Sequence, residues 1–350
     1  MRGRRWTRSD ENTGRTWVDY GMHTLAGVVI CLTLLCSANF CSAQPTPSNP
    51  SPVADPPKLA SMPKVTVEKV GAEPLRPLRL TAKVGQRFDY LWTTETIGVE
   101  TRSGEKDRDM SLPKIEINCS CVVTDISPDG GMRMSVTTGP WRTVSKLADA
   151  DSQQFVDKSI ANATGTRLML SISSRGPVLA GDATFPTDVP ENARRFLNSI
   201  ITTFAMQCVI LPDEAVGAEA KWSLALPTTI ATASDRRAVV ETWSPTAATI
   251  SLADQMTLTP RGPVSLRRLP PNAKAVDQGG EGTLNGRYTL LLDSPLPSEM
   301  SESTRMIRRT QITTDDKVIE QVSTTEVRHT LRRIDKDQPA TADPNQKPAK

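Results

Sequence analysis

The segment KIEINCSCVV, residues 114–123, alternates polar and apolar side chains from Lys114 to Cys121. Successive side chains of a β-strand point to opposite faces, so this period of two predicts a strand with one buried and one solvated face. The segment therefore predicts a half-buried strand. The side chains predicted to face inward are Ile115, Ile117, Cys119, Cys121 and Val123.

The same alternation recurs along much of the chain, for example in RFDYLW, residues 87–92, and RYTLLL, residues 287–292. Turn-forming residues separate the alternating segments. Together these signals predict a mainly β fold built from antiparallel sheets. The turns are predicted at Asp129-Gly130-Gly131, Arg175-Gly176-Pro177, Ser244-Pro245 and Asp315-Asp316.

One segment departs from the period of two. Its apolar residues recur every three or four positions, and Pro190 and Glu191 suit a first helical turn. The pattern predicts one long amphipathic helix, about residues 190–208, packed against a sheet. Its apolar stripe is Ala193, Phe196, Leu197, Ile200, Ile201, Phe204, Ala205 and Cys208.

Three pairs of similar segments occur in the same order in the two halves of the chain, which indicates an internal repeat. We therefore predict two similar sheet-forming halves, residues 64–210 with the helix at its end and residues 211–334. The pairs are Val84-Gly85 with Val216-Gly217, VVTDISP (122–128) with VVETWSP (239–245), and ISSRGPVL (172–179) with ITTDDKVI (312–319).

Both ends of the chain differ in composition from the middle. Five arginines precede the apolar run Leu25–Phe40, which ends in Cys41-Ser42-Ala43, so residues 1–43 predict a cleaved signal peptide. An uncleaved membrane anchor is the alternative. Residues 44–63 contain seven prolines and predict a disordered linker, and residues 335–350 predict a disordered tail. The expected location is the periplasm or the extracellular medium.

The part of the chain after residue 43 is nearly neutral, with 37 basic and 36 acidic side chains. Such a balance provides no extended positive field, which argues against a nucleic-acid partner. The partner classes that remain are an apolar small molecule and a cell-envelope protein.

Three cysteines follow the predicted signal peptide, Cys119, Cys121 and Cys208. Residues two apart on a strand place their Cα atoms at roughly 6.5–7 Å, the outer limit for a disulfide, so Cys119 and Cys121 are not expected to pair. All three are predicted to be small buried core side chains, and a disulfide from Cys208 to Cys119 or Cys121 is the alternative. Because the C-S-C flanks have a strand pattern, no metal or other cofactor is predicted.

His329 is the one histidine after residue 43, so any Ser-His or Cys-His catalytic arrangement must use it. It lies in phase with Val327 and Leu331, which predicts a buried, hydrogen-bonded core histidine, and we assign no catalytic residue. The aromatic stripe Phe88, Tyr90 and Trp92 has two interpretations, core packing or a candidate ligand-binding face.

Residues 75–332 resemble a family of uncharacterised secreted bacterial proteins with a domain of unknown function. The resemblance rests on LPDEAVGAEAKWSLAL (211–226), LRLTAKVGQRFDYLW (78–92) and GEGTLNGRYTLLL (280–292). This chain departs from the family at Gly217-Ala218-Glu219-Ala220-Lys221-Trp222, where the family has Gly-Asp before the tryptophan. The resemblance implies export and a β-rich fold, and it implies no catalytic residue.

These observations predict an exported, non-enzymatic β-rich protein that binds an apolar ligand or an envelope partner. One alternative is a structural or interaction module of the envelope without a ligand. The other is a hydrolase whose two carboxylates come from different strands.

Overall fold

The computed structural model describes residues 64–147, 149–206, 209–225, 231–264, 272–314 and 317–334. Strands dominate these residues, which confirms the prediction of a mainly β, antiparallel fold. The helices are α1, Ala150–Ala161, and α2, Glu191–Met206. The strands are β1 Lys64–Lys69, β2 Ala72–Pro77, β3 Arg87–Arg102, β4 Arg108–Asp109, β5 Leu112–Ile126, β6 Met132–Thr143, β7 Arg167–Ile172, β8 Val178–Thr184, β9 Ala215–Ala218, β10 Lys221–Ala225, β11 Ala231–Trp243, β12 Ala247–Leu258, β13 Gly262–Val264, β14 Lys274–Leu291, β15 Glu299–Thr313 and β16 Val318–Ile334.

Fourteen of these strands form one antiparallel sheet, and β2 pairs with β9 in a separate small sheet. The order across the large sheet is β1-β10-β11-β12-β14-β15-β16-β3-β5-β6-β7-β8, with β13 added beside β14 and β4 beside β3. The strands of both predicted halves therefore belong to one sheet. They meet where β16 pairs with β3, in a register that runs from Gln321 opposite Arg102 to Ile334 opposite Asp89.

The two faces of the large sheet differ as the alternation predicts. The inward-phase residues of β5, from Ile115 to Val123, are at most 4% exposed, which confirms their predicted orientation. We call the face that they share the inner face. The outer face is polar; Arg328, for example, pairs with Glu326 at 2.8 Å. Such exposed ion pairs add little stability, so the inner face supplies most of the stabilising burial.

The large sheet is strongly curled. The adjacent amides of Leu80 and Thr81 donate to the carbonyls of Ser174, between β7 and β8, and Leu292, after β14, both at 2.8 Å. These two carbonyls therefore lie at most roughly 10 Å apart. Along the sheet, β14 and β7 are separated by six strand spacings, roughly 29 Å. Only a sheet that bends back on itself brings these two strands to one connecting segment.

Two connecting segments close one end of this curled sheet: one contains Leu78 and Leu80, and the other contains Leu211. Leu78, Leu80 and Leu211 are at most 3% exposed, and they belong to the same core as the strands. The indole Nε1 of Trp222 donates to the carbonyl of Ile210 at 2.9 Å, and this hydrogen bond holds the segment with Leu211 against the sheet. This end of the inner face is therefore filled with side chains.

The helices differ from the prediction of one long helix at about 190–208. The described residues instead contain two short helices, and α2 occupies 16 residues of that interval. The sequence pattern missed α1, because only a few of its residues, among them Val156 and Ile160, are buried apolar side chains, too narrow a stripe to recognise. The side chain of Asp149 accepts from the Ser152 amide at 3.0 Å and caps α1.

Several predicted features lie outside the described residues. They are the signal peptide at 1–43, the linker at 44–63, the turn at Asp315-Asp316, Cys208 and the tail at 335–350. Within the described ranges, neither helix has the length and apolarity that a membrane crossing requires.

A polar band on the inner face as candidate ligand site

A band of polar side chains crosses the otherwise apolar inner face. His329 on β16 lies directly opposite Thr94 on β3 and Glu302 on β15 in the strand register. The next row of the same face contains Thr304, and beyond Leu284 it continues to Asp254 and Arg236. We call this set the inner polar band. Its members are Thr94, His329, Glu302, Thr304, Asp254 and Arg236.

Glu302 is held in place from below by Tyr288. The tyrosine hydroxyl donates to Oε2 of Glu302. Gly286 makes this contact possible, because a Cβ at that position would lie only 2.8 Å from Cε2 of the Tyr288 ring. Burial raises the pKa of the Glu302 carboxyl, and the Tyr288 hydrogen bond and the positive charge of Arg236 oppose that rise. Tyr288 thus orients the carboxyl group of Glu302, whose pKa is raised by burial.

His329 is buried, but its hydrogen bonding differs from the prediction. The side chain is 3% exposed, and its ring stacks on Trp92 with centroids 6.2 Å apart. Its Nδ1 atom is enclosed and has no hydrogen-bond partner. Burial lowers the pKa of the imidazole to about 3, so His329 is neutral at physiological pH. The core histidine is therefore incompletely satisfied, which disfavours the folded state by an amount typical of a lost hydrogen bond.

At the other end of the band, Arg236 and Asp254 neutralise each other. Nε of Arg236 donates to Oδ2 of Asp254 at 2.9 Å, and the hydroxyl of Ser234 donates to Oδ1 at 2.8 Å. Asp254 is only 2% exposed. With both carboxylate oxygens occupied and no access for water, Asp254 is positioned as a structural charge.

Solvent reaches part of the inner face. Four side chains of β15 and β16 that point inward, Glu302, Thr304, Ser323 and Thr325, are half-buried, whereas the inward side chains of β5 from Ile115 to Val123 are fully buried. These backbones are paired on both sides within the sheet, so the exposure arises from the inner face itself. We call this opening the inner trough. It is lined by the half-buried Glu302, Thr304, Ser323 and Thr325, and its floor is formed by Leu284, Met256 and Met306.

The predicted aromatic ligand face lies beside the polar band, toward the filled end of the sheet. Phe88, Tyr90 and Trp92 are 3%, 0% and 2% exposed, within the filled end of the sheet. The hydroxyl of Tyr90 bonds to that of Ser294 at 3.1 Å, and the guanidinium of Arg333 lies 5.0 Å from the centre of the Phe88 ring. The structure brings Trp92 against His329 and leaves the other two aromatic rings away from the trough.

Cys119 and Cys121 are buried and have no bond to each other. Burial raises the pKa of the Cys119 thiol to about 12 and also raises that of Cys121. Both thiols are therefore protonated and unreactive at neutral pH. Because Cys208 lies outside the described residues, its bridge to Cys119 or Cys121 stays a prediction, which peptide mapping without reduction tests.

A second buried charge cluster lies above the trough. Arg308 donates to Asp277 at 2.6 Å, and Arg261 approaches the same carboxylate at 3.7 Å. The Gly279 amide donates to Asp277 at 2.7 Å, and Nη2 of Arg308 is enclosed without a partner. This cluster therefore places charged side chains at one end of the inner face. In the part of the chain that the structure describes, no group of three or more His, Cys, Asp or Glu side chains is arranged to hold a metal.

The molecule also has an open surface depression of about 650 Å³ beside α1. Its lining includes exposed polar side chains of α1, such as Gln154 and Lys158, and it does not connect to the polar band.

Sequence reasoning missed Glu302 and Tyr288 as site residues. A usable signal was present, because Glu302 stands in phase with the buried Met300 and Met306, where an acid is unexpected. A charged residue in the inward phase of a strand is the pattern that locates the band.

Comparisons with known proteins add little to this picture. No family model matches the chain, and no curated protein matches it. A solved structure described as "Lipid–protein interactions in lipovitellin" is 11% identical, with a TM-score of 0.36 over 75% of this chain, which spans only 26% of the lipovitellin chain. An outer membrane channel from Pseudomonas putida F1 is 9% identical, with a TM-score of 0.18 over 73% of this chain and 98% of that chain. Likenesses this weak carry no argument about fold or function.

Proposed function

We propose that this chain is an exported, non-enzymatic protein that binds an apolar or amphipathic ligand in the inner trough. One observation carries the proposal: side chains on the core face of a curled sheet remain open to solvent beside an apolar floor. A folded protein normally buries such a face completely, and an accessible apolar concavity with a few polar groups is typical of ligand sites.

The floor of the trough suits ligands of variable shape. Met256 and Met306 both approach Gly282, where a Cβ would lie 3.1 Å from Cε of Met256 and 3.6 Å from Cγ of Met306. Methionine side chains are flexible and polarisable, so they adapt to irregular apolar surfaces. Because Gly282 has no side chain, both methionines can lie close to the backbone of the sheet at this point.

A fluorescent apolar probe, N-phenyl-1-naphthylamine, tests the proposal. We expect saturable binding to the purified protein. The substitution Thr304→Trp fills the trough and should abolish binding, whereas Arg305→Trp adds the same ring on the outer face and should leave binding unchanged. Non-saturable binding, or equal binding by the two variants, would contradict a site in the trough and favour an envelope module without a ligand.

The hydrolase alternative has little support in the geometry of the band. A pair of catalytic carboxylates requires one accessible acid and one accessible base or nucleophile. Asp254, the other carboxylate of the band, is sealed by Ser234 and Arg236. If the native protein hydrolysed a glycoside and the Glu302→Gln variant did not, the hydrolase alternative would be restored.

We also propose export, and membership of the secreted bacterial family that residues 75–332 resemble. The five arginines before the apolar run Leu25–Phe40 and the small residues Cys41-Ser42-Ala43 support export, and the β-rich fold agrees with the family resemblance. N-terminal sequencing of protein from the periplasm or medium tests export. A chain beginning at Gln44 supports it, and a membrane-bound chain that keeps residues 1–43 supports the uncleaved anchor.

The division into two similar halves remains part of the proposal. Its support is that the similar segments occupy similar places: residues 122–128 and 239–245 each end one strand and start the turn to the next. Residues 172–179 and 312–319 each lie where two adjacent strands meet. In an experimental structure, β3, β5 and β6 should superimpose on β10, β11 and β12; a mismatch in register would refute duplication.

A further inference from the structure

We infer that Glu302 recognises the polar end of the ligand, and that the ligand class is an amphiphile with a primary ammonium head group. The inference rests on the proposed function, since it assigns a head-group site within the inner trough. Four features of the inner polar band carry it: the open oxygen of Glu302, the unused nitrogen of His329, the charge balance and the length of the trough.

Glu302 offers one carboxyl oxygen to the trough. Its Oε2 accepts from Tyr288, and no other hydrogen bond to Glu302 occurs among the described residues. Glu302 is half-buried, and its Oε1, which has no hydrogen-bond partner in the described part of the chain, is open to solvent on the inner face. Tyr288 therefore orients the carboxyl and leaves one acceptor for a ligand.

His329 supplies a second unused group in the same row. It lies directly opposite Glu302, its side chain is only 3% exposed, and its Nδ1 has no hydrogen-bond partner. A neutral imidazole has one acceptor nitrogen, and a buried polar atom without a partner is unfavourable. An ammonium group carries three N–H donors, so it can donate to Glu302 and, once the imidazole ring turns toward the trough, to Nδ1 of His329.

The charge balance selects the sign of the head group. Arg236 and Asp254 form a mutual ion pair, so Glu302 sets the net charge of the band. An ionised Glu302 attracts a cation and repels a carboxylate or phosphate. In this low-dielectric setting the preference is larger than at an exposed carboxylate.

Along β15, the inner face is long enough to accommodate the length of an alkyl chain beyond the head group. Glu302 and Arg308 point to the same face of β15 and are six residues apart, roughly 20 Å along the strand. Thr304 and Met306 lie between them on that face. A dodecyl chain is shorter than this distance, so it fits between the two charged residues.

Displacement of N-phenyl-1-naphthylamine by dodecylammonium, dodecanoate and dodecanol tests the inference. We expect dodecylammonium to bind at least about 10-fold more tightly than the other two. Glu302→Gln should remove that preference, and Glu299→Gln, on the exposed outer face of the same strand, should retain it. Because Glu302→Gln affects a buried hydrogen bond, Glu302→Asp provides a second variant that keeps the charge and should keep the order of preference.

The outcomes separate this inference from the proposed function. If the probe binds but all three amphiphiles displace it equally, or Glu302→Gln keeps the preference for the amine, the head-group assignment is wrong and the trough remains a ligand site. If dodecanol equals dodecylammonium, a cationic ligand class is also wrong. If the probe itself does not bind, the proposed function fails together with the inference.

Discussion

Replacement of His329 should remove a large part of the acid sensitivity of this protein. The imidazole is 3% exposed and its pKa is lowered from 6.5 to about 3 by burial. Between those two values the unfolded chain binds a proton that the folded chain excludes. The contribution of His329 to the free energy of unfolding is therefore complete above pH 6.5 and declines as the pH falls toward 3.

The size of the effect follows from the pKa difference. Each pKa unit corresponds to about 1.4 kcal/mol, so the whole shift gives a limit of about 5 kcal/mol. Integrated between pH 8 and pH 5, the native protein should lose about 2 kcal/mol through His329 alone. His329→Leu, which matches Val327 and Leu331 in polarity, should lack this loss, and at pH 8 it should be no less stable because the unpaired Nδ1 is gone.

Urea unfolding followed by tryptophan fluorescence at pH 8, 6.5 and 5 measures this contribution. The informative quantity is the difference in the free energy of unfolding between the native protein and His329→Leu at each pH, since other titrating groups cancel in it. A difference that stays constant within about 0.5 kcal/mol would show that His329 is protonated without unfolding. Glu302→Gln provides a control of opposite sign, because the raised pKa of Glu302 makes its contribution fall as the pH rises.

Three further predictions concern packing and reactivity. Gly286→Ala should displace the ring of Tyr288 and lower the free energy of unfolding by about 1–3 kcal/mol, measured by urea titration. Trp222→Phe removes the indole donor to a buried carbonyl and should cost about 1–2 kcal/mol in the same assay; an unchanged midpoint would mean that the carbonyl finds another donor. Cys119 and Cys121 should resist iodoacetamide at pH 8 in the folded protein and react in urea, as measured by intact mass; rapid modification of the folded protein would contradict their protonated, enclosed state.

The local parts of the fold could be predicted because their signals are local. A period of two identified the strand containing Cys119 and Cys121 and the side that faces inward. Turn residues such as Asp129-Gly130-Gly131 marked the connection between β5 and β6. The order of strands could not be predicted in the same way, because nothing in either segment records that β16 pairs with β3.

The candidate site was hidden for a related reason. The inner polar band consists of residues from β3, β11, β12, β15 and β16, and these become neighbours only in the assembled sheet. His329 alone gives the pattern of a core histidine. The lack of a partner for its Nδ1 is visible only in the assembled sheet, where its register neighbours are Thr94 and Glu302, and Thr94 is distant in sequence. Similarly, the role of Gly286 is visible only once the Tyr288 ring lies against it.

The pairing of β16 with β3 has a consequence for the order in which the protein folds. Trp92 and Leu331 are opposite each other, although roughly 240 residues of chain separate them. During synthesis or translocation, one edge of β3 must therefore stay unpaired until β16 emerges. Long-range pairing of this kind slows folding and leaves an exposed strand edge that associates with other chains. A chain truncated before Val318 should therefore aggregate, and the seventeen residues of β16 control when the whole sheet forms.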